Sequence, residues 1–303
     1  MDILGDTKFD FLGKKRGAFF LSGFLVIIGL IALVEIVIGR ANLGIDFAGG
    51  ASIQLKFKET VRIDAARELL SEGLKQDIDL QEFPLDNKLL IRLKEVEGGL
   101  GTISDRIKNI FKQGFPENDF TVEATTEIGP TVGKRLQKDA MWAISIALLG
   151  ILAYIAWRFE FRFGIAAVIA TFHDVLAVLG ILTIMNKEIN LLIITALLTI
   201  AGYSLNDTVV IFDRIREDLR VKSKASLEDI INMSINEVLR RTIITSLTTL
   251  LAVIALLSIG GEVLHDFSFA LFLGVIIGTY SSIFVASPLL FLWKGKRGRL
   301  IRS

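Results

Sequence analysis

The 303-residue chain contains no cysteine and only two histidines. Disulfide bonds, cysteine-ligated zinc, iron–sulfur clusters and thiol catalysis are therefore excluded, and neither a metal nor a cofactor is expected. The sequence also lacks the GxxxxGKS/T loop of nucleotide-binding proteins and the HExxH motif of metalloproteases. Its 34 Lys and Arg residues nearly balance its 33 Asp and Glu residues, and so small a positive surplus argues against a nucleic-acid partner.

Long apolar runs are the dominant feature that is present, since 52% of the residues are hydrophobic and the mean hydropathy is +0.56. A membrane-spanning helix needs about 20 apolar residues, or about 17 at the short end. The sequence therefore predicts an α-helical polytopic membrane protein with six transmembrane helices, at residues 17–38, 140–157, 163–185, 191–212, 243–259 and 267–293. The first run is about 22 residues long and no small-residue cleavage site follows it, so it is expected to be a retained anchor and not a signal peptide.

Positive charge in the short loops predicts the orientation of the spans. With six spans both termini share one side, and most Lys and Arg residues of the short loops lie there, whereas Lys187 is alone on the other side. We therefore expect a cytoplasmic N-terminus at residues 1–16 and a basic cytoplasmic tail at residues 294–303. The cytoplasmic loop at residues 213–242 is expected to contain an amphipathic interfacial helix over Leu227–Leu239, with Ser226 as its N-cap.

The block at residues 39–139 lies outside by the same topology. Its apolar residues alternate like strands or recur like helices in the order β-α-β-β-α-β, at residues 52–57, 62–74, 78–83, 88–94, 102–111 and 120–125. This order predicts an external α+β domain of the ferredoxin-like, split-βαβ type. Gly98-Gly99-Leu100-Gly101 is expected to be a flexible connector.

A glycine-rich segment, Gly44-Ile45-Asp46-Phe47-Ala48-Gly49-Gly50, follows the first span. Glycine permits positive φ angles and close backbone approach, so Gly44, Gly49, Gly50 and the enclosed Asp46 are expected to form a tight turn into the external domain.

Ionisable residues inside the predicted spans are functional candidates, because burying such a group in a bilayer is costly. At a rise of about 1.5 Å per residue, His173 lies about 15 Å into the membrane and Asp207 about 9 Å from the cytoplasmic face. The pair His173-Asp174 is either a structural hydrogen-bonded pair or a proton site. Asp207 is either in a static ion pair with Arg241 or a proton site whose proton affinity a mobile Arg241 would switch.

The surroundings of Asp207 are unusually polar for a membrane helix. Gly202 and Asn206 lie in the run Gly202-Tyr203-Ser204-Leu205-Asn206-Asp207-Thr208, and Gly202 allows a kink there. In the sixth span, Gly274 and Gly278 form a GxxxG step suited to close helix contact.

Taken together, these motifs resemble the SecF family, the smaller membrane subunits of the SecDF protein-export accessory complex in the resistance-nodulation-division superfamily. The resemblance covers nearly the whole chain. It rests on six motifs: Gly44–Gly50, Thr126–Gly133, His173-Asp174-Val175, Gly202–Thr208, Phe212–Glu217 and Arg241-Thr242. The fifth of these contains Asp213 and Arg214.

The resemblance implies a subunit of the inner membrane that uses the proton motive force to assist late steps of protein export. Asp207 and Arg241 match the residues implicated in proton conduction, for which His173, Asp174 and Asn206 are further candidates. The implied partners are SecD, which would supply a second six-helix half, the SecYEG translocon, protons, and the unfolded polypeptide, which the external domain would contact.

Other functions weigh less, and no enzyme activity is expected. An intramembrane aspartyl protease needs two adjacent carboxyl groups that share a proton, but the estimated depths of Asp174 and Asp207 differ and the GxGD-type context is missing. A small-molecule or lipid exporter half-subunit of the same superfamily stays open as the alternative. A purely structural assembly factor would not need Asp207 deep in a span.

Overall fold

The computed structural model describes residues 8–74, 78–93, 102–222 and 225–292. The predicted connector Gly98–Gly101, residue Lys94, the tail at residues 294–303 and the first seven residues lie outside the described residues. The chain divides into two compact units, Leu43–Trp142 and the remainder.

The first part of the chain contains one long helix and the elements of the smaller unit. In chain order they are α1 (Lys15–Val37), α2 (Ile45–Ala48), β1 (Gly50–Phe57), α3 (Ile63–Leu74), β2 (Ile78–Phe83), β3 (Lys88–Leu93), α4 (Thr102–Gly114) and β4 (Phe120–Ile128). Single 3₁₀ turns at Leu12–Lys14 and Pro84–Asp86 precede α1 and β3.

The second part is helical throughout. Its elements are α5 (Pro130–Arg158), α6 (Phe161–Ile184), α7 (Leu191–Val221), α8 (Leu227–Ile259), α9 (Gly261–Ser281), a π-helical segment (Ser282–Ala286) and α10 (Ser287–Leu292). Within the described residues, six helices are long and apolar enough to cross a membrane, the last of them running from Val263 to Leu292 through the π-helical segment. The predicted six-helix fold class is confirmed.

The smaller unit is the predicted split-βαβ domain. Its four strands form an antiparallel sheet in the order β2-β3-β1-β4. Alternate residues of β1, Ile53, Leu55 and Phe57, are buried, and α4 contributes Ile107 and Phe111 to the same core. The period of two in the strands and of about 3.6 in the helices is what directs these side chains to one common core.

The larger unit has α6, α7 and α9 at its centre, since these three helices have the most buried spans. Helix α1 lies against α6 through a glycine on each helix, Gly29 and Gly180. A Cβ atom placed on Gly29 would lie 2.3 Å from the carbonyl oxygen of Leu176, and one on Gly180 would lie 2.8 Å from the nitrogen of Gly29. Such close approach depends on glycine.

The segment expected to be a loop with an interfacial helix differs in the structure. Helix α7 continues to Val221, and α8 begins directly after Ser226, whose hydroxyl accepts the backbone N–H of Asp229 at 3.1 Å. The apolar residues Ile231 and Ile235 are buried in the protein core. The amphipathic pattern therefore reflects packing against protein and not against a membrane surface, two environments that bury the same apolar face.

Candidate functional site

Asp207 lies on the inner side of α7 with 3% of its side chain exposed. Its Oδ2 atom is buried and, among the described residues, has no hydrogen-bond partner. Two residues of α8 face this carboxylate: the hydroxyl of Ser246, and Arg241, whose positive charge acts on it from a distance. Arg241 is itself exposed and forms no ion pair within the described part of the chain. The expected pair is thus brought together without direct contact.

Ser246 connects this carboxylate to the neighbouring helix. Its Oγ atom lies 2.7 Å from Oγ1 of Thr279 on α9, and the hydroxyl of Tyr203 on α7 donates to it at 3.5 Å. Three helices therefore meet at a set of hydroxyl groups beside Asp207.

Asp174, on α6, is completely buried and fully bonded. Its Oδ1 atom lies 2.8 Å from Nδ1 of His173. Its Oδ2 atom accepts two hydroxyl hydrogens, from Ser204 on α7 and from Ser281 on α9, the latter at 2.7 Å. The other ring nitrogen of His173, Nε2, is buried and has no partner among the described residues.

The GxxxG step of α9 lies directly against α7. A Cβ atom on Gly274 would lie 2.3 Å from the Ile200 side chain, and one on Gly278 would lie 3.1 Å from Cβ of Ser204. Four residues beyond Ser204, the hydroxyl of Thr208 is 3.0 Å from that of Ser282. The missing Cβ atoms bring α7 and α9 close enough for these short hydroxyl contacts.

Asn206, predicted as a further proton candidate, lies on a different side of α7. It is exposed, as are Thr195, Thr199 and Gly202, which recur on the same face at helical spacing. Helix α7 passes through Gly202 without a break. On α8, Arg241, Thr245, Thr248 and Ala252 form a comparable exposed row. We refer to these two rows as the small-polar stripes of α7 and α8.

In the smaller unit, the glycine-rich segment folds onto the beginning of α5. A Cβ atom on Gly133 would lie 2.9 Å from the Phe47 carbonyl oxygen, and one on Gly49 would lie 3.2 Å from Cα of Pro130. Gly49 and Gly50 adopt φ angles of 80° and 133°, which only glycine adopts readily. Gly44 is the N-cap of α2, and Asp46 lies in its first turn, half-buried. Two motifs that are distant in the sequence therefore form one structural element.

The end of the bundle that carries Lys15, Arg158 and Arg214, called the basic end here, contains a network of ion pairs. Arg158, the last residue of α5, donates to Asp213 on α7 at 2.7 Å. Arg214 bonds Glu237 of α8 and, at 2.8 Å, Glu217. Lys222 follows α7 and also donates to Glu237, at 2.9 Å, and this hydrogen bond raises the pKa of Lys222 above its usual value.

Two asparagines one turn apart on α8 hold the segment that precedes α1. Asn236 accepts the N–H of Phe9 at 3.0 Å and donates to its carbonyl at 2.9 Å. Asn232 accepts the N–H groups of Phe11 and Leu12 at 3.0 and 3.1 Å. We call this arrangement the asparagine clasp. It fixes the beginning of α1 to the basic end of α8.

Known proteins share these features. A family described as "Protein export membrane protein SecD/SecF, C-terminal" matches residues 106–296, and "SecD/SecF GG Motif" matches residues 40–61. The protein translocase subunit SecF of Thermodesulfovibrio yellowstonii is 53% identical over 294 residues, which cover 96% of this chain and 97% of the relative. This chain belongs to the SecF family. The SecF of Calditerrivibrio nitroreducens is 44% identical over 300 residues, or 98% of each chain.

Solved structures agree with membership of the SecF family. The crystal structure of SecDF from Thermus thermophilus, described as a translocon-associated membrane protein, matches with a TM-score of 0.81 at 35% identity. The match covers 95% of this chain, which spans 39% of that SecDF chain. SecDF in a super-membrane-facing form matches with a TM-score of 0.70 at 35% identity, covering 97% of this chain and 40% of that one. These relatives do not favour the small-molecule or lipid exporter left open by the sequence.

Sequence reasoning did not single out three hydroxyl residues of this SecF-family site: Ser246, Ser281 and Ser282. The signal that would have found them is the density of Ser and Thr in otherwise apolar spans, as in Thr242–Thr249. A lone serine in a membrane helix bonds its own backbone at little cost, so a single one carries no signal.

Proposed function

We propose that this chain acts as an accessory subunit of the Sec protein translocase, using the proton motive force together with SecD to assist late steps of protein export. The observation that carries the proposal is Asp207, a buried carboxylate that faces the hydroxyl of Ser246 and feels the charge of Arg241 from a distance. Among the described residues, its Oδ2 atom has no hydrogen-bond partner and Arg241 forms no ion pair. A static ion pair would have joined Asp207 to Arg241 directly. The separation leaves room for two arrangements, one for each protonation state of Asp207.

The energy available to such a site is sufficient for a conformational cycle. One charge that crosses the membrane potential releases about 2.3 kcal/mol per 100 mV. Protonation removes the charge of Asp207 and with it the attraction to Arg241. Uptake of a proton from one side and its release to the other therefore biases the two arrangements without ATP.

A second six-helix half would complete the membrane part of the complex. Exposed small and polar residues are unusual on a lipid-facing surface but typical of close helix contacts in membranes. The small-polar stripes of α7 and α8 are such surfaces, and Asn206 and Arg241 lie on them. We assign these stripes to contact with SecD, which is supported by the fact that SecDF chains are more than twice as long as this one.

The charge distribution supports a cytoplasmic position for the basic end and for both termini. The chain then crosses the inner membrane six times, with the domain at residues 39–139 on the outer side, in contact with the unfolded polypeptide as it leaves SecYEG.

Two ties at the basic end offer a route from Asp207 to the external domain. The domain is connected to the bundle by α1 and by α5. The asparagine clasp ties α1 to α8, which carries Arg241, and the Arg158–Asp213 ion pair ties α5 to α7, which carries Asp207. A change between α7 and α8 is thereby transmitted to both connecting helices, because packed helices move as rigid elements.

The test is export into vesicles that contain SecYEG and SecD, with and without a proton gradient. Asp207→Asn keeps the size of the side chain and removes its titration, so stimulation of export by the gradient is expected to disappear while the protein stays inserted. Asp229→Asn makes the same change at an exposed carboxylate near the start of α8, and this control is expected to retain the stimulation. Full stimulation by Asp207→Asn contradicts the proposed function.

A further inference from the structure

Asp174 is a second buried carboxylate in the membrane bundle, and its surroundings differ from those of Asp207. Both of its oxygens are bonded, by donors from three helices: His173 on α6, Ser204 on α7 and Ser281 on α9. Asp207 has a buried oxygen without a partner among the described residues. A carboxylate that is bonded on both oxygens is suited to holding its donors in place, since each donor loses a buried hydrogen bond if it moves.

The partners of Asp174 do not continue into a proton path within the described part of the chain. His173 is its one titratable neighbour there, and the far nitrogen of that ring has no partner. Ser281 donates to Asp174 and also lies 3.2 Å from the carbonyl of Gly278 on its own helix. Within the described residues, the hydrogen bonds of Asp174 therefore lead to its three donors and to the backbone of α9, and not to Asp207.

The position of this network on α7 links it to the proton site. Ser204 is three residues from Asp207, about one helical turn. On the other side of Asp207, Thr208 bonds Ser282 at 3.0 Å. These two contacts hold α7 one turn before Asp207 and directly after it, and Gly278 allows the first of them by leaving room for Ser204.

We propose that Asp174 is a positioning residue: through Ser204 and Ser281 it fixes α7 against α6 and α9, so that Asp207 faces Ser246 and Arg241 of α8. A slip of α7 by one residue would rotate Asp207 by about 100° and shift it by about 1.5 Å. The inference rests on the proposed role of Asp207 in export, and it assigns His173 and Asp174 to the scaffold of that site.

The geometry offers a variant that separates positioning from proton transfer. Both hydroxyl groups donate to the same oxygen of Asp174, so the amide oxygen of an asparagine can accept both. The amide nitrogen then faces Nδ1 of His173, which accepts a hydrogen bond in its other neutral tautomer. Asp174→Asn thus preserves every contact and removes the titration, whereas Asp174→Leu keeps the branching at Cγ and removes the acceptor that the two hydroxyls share.

The experiment compares Asp174→Asn, Asp174→Leu and Asp207→Asn in the full SecYEG–SecD vesicle system, with gradient-dependent export measured against pH. We expect Asp174→Asn to keep most of the stimulation with the wild-type pH midpoint, and Asp174→Leu to lose about tenfold, because the hydroxyls of α7 and α9 lose the buried acceptor that joins them to α6. An Asp174→Asn protein that is inserted but as inactive as Asp207→Asn overturns the proposal and makes Asp174 a proton carrier. Full activity of Asp174→Leu overturns it also.

A milder variant covers the case in which Asp174→Leu does not fold. Ser281→Ala removes one donor and is expected to shift the pH midpoint of export, because Asp207 is held less firmly. A lower thermal stability with an unchanged midpoint indicates packing alone and contradicts positioning. Stimulation that survives in Asp207→Asn overturns the proposed function instead, whatever the Asp174 variants do.

Discussion

The guanidinium of Arg158 lies 2.7 Å from a carboxylate oxygen of Asp213, and this ion pair joins the last residue of α5 to the basic end of α7. Both side chains are partly exposed, at 37% and 40%. An ion pair in such a position contributes about 0–1 kcal/mol to stability. We therefore expect this pair to matter more for coupling the movement of α7 to α5 than for folding.

Reversal of this pair tests the coupling. Arg158→Asp or Asp213→Arg alone places two like charges in contact and is expected to reduce gradient-dependent export. The double variant Arg158→Asp/Asp213→Arg restores an opposite pair and is expected to restore export. Thermal unfolding, measured in parallel, is expected to change by about 1 kcal/mol or less in the double variant. If export by the double variant is no higher than export by either single variant, the pair does not couple α5 to α7.

The asparagine clasp predicts the accessibility of the segment before α1. Since the chain has no cysteine, a single Leu12→Cys change reports on a position that is completely buried. Labelling by a thiol reagent is expected to be slow, and to become several-fold faster with Asn232→Ala, which removes the acceptor for two backbone N–H groups. Asn118→Ala, in the smaller unit, is the control. Equal labelling rates in the presence and absence of Asn232 would contradict the clasp.

The contact between α7 and α9 predicts an unequal response of two glycines. Gly274→Val inserts a side chain where a Cβ atom already lies 2.3 Å from Ile200, and overpacking of this kind costs about 1–3 kcal/mol. Gly150→Val, on α5, meets nothing within 4 Å and is expected to leave the thermal midpoint nearly unchanged. A stable Gly274→Val protein would mean that α9 is not seated on α7 through this step.

The beginning of the external domain predicts a second glycine pair. Gly49 has φ 80° and ψ 169°, a region open to glycine alone, so Gly49→Ala is expected to destabilise the domain by about 1–3 kcal/mol. Gly129→Ala, which meets nothing within 4 Å and lies on the same junction, is the control. Limited proteolysis of the full chain distinguishes the two. If Gly49→Ala and Gly129→Ala resist proteolysis equally, position 49 does not need glycine for its backbone conformation.

The fold was largely predictable because its signals are local. Six apolar runs long enough to span a bilayer and the alternation of Ile53, Leu55 and Phe57 are visible in the sequence, and they predict membrane helices and a half-buried strand. The extension of α8 back to Leu227 was not predictable, since a buried apolar face and a membrane-bound one have the same periodicity.

Of the residues at the candidate site, only the charged ones could be predicted from the sequence. Asp207 and Arg241 stand out because ionisable residues are rare in spans. The partners Ser246 and Ser281 depend on which helices meet at which depth, and no local pattern encodes that. Asn206 shows the same limit, because adjacency to Asp207 in the sequence places it about 100° away around the helix.

If the proposed function is right, Asp207 takes up and releases protons in step with export. The direct measurement is proton flux into vesicles that contain SecYEG, SecD and this chain, followed with a pH-sensitive dye while a polypeptide is translocated. Proton flux is expected with the unaltered chain and with the exposed-site control Asp229→Asn, and none above background with Asp207→Asn. Undiminished flux with Asp207→Asn would contradict the proposed function.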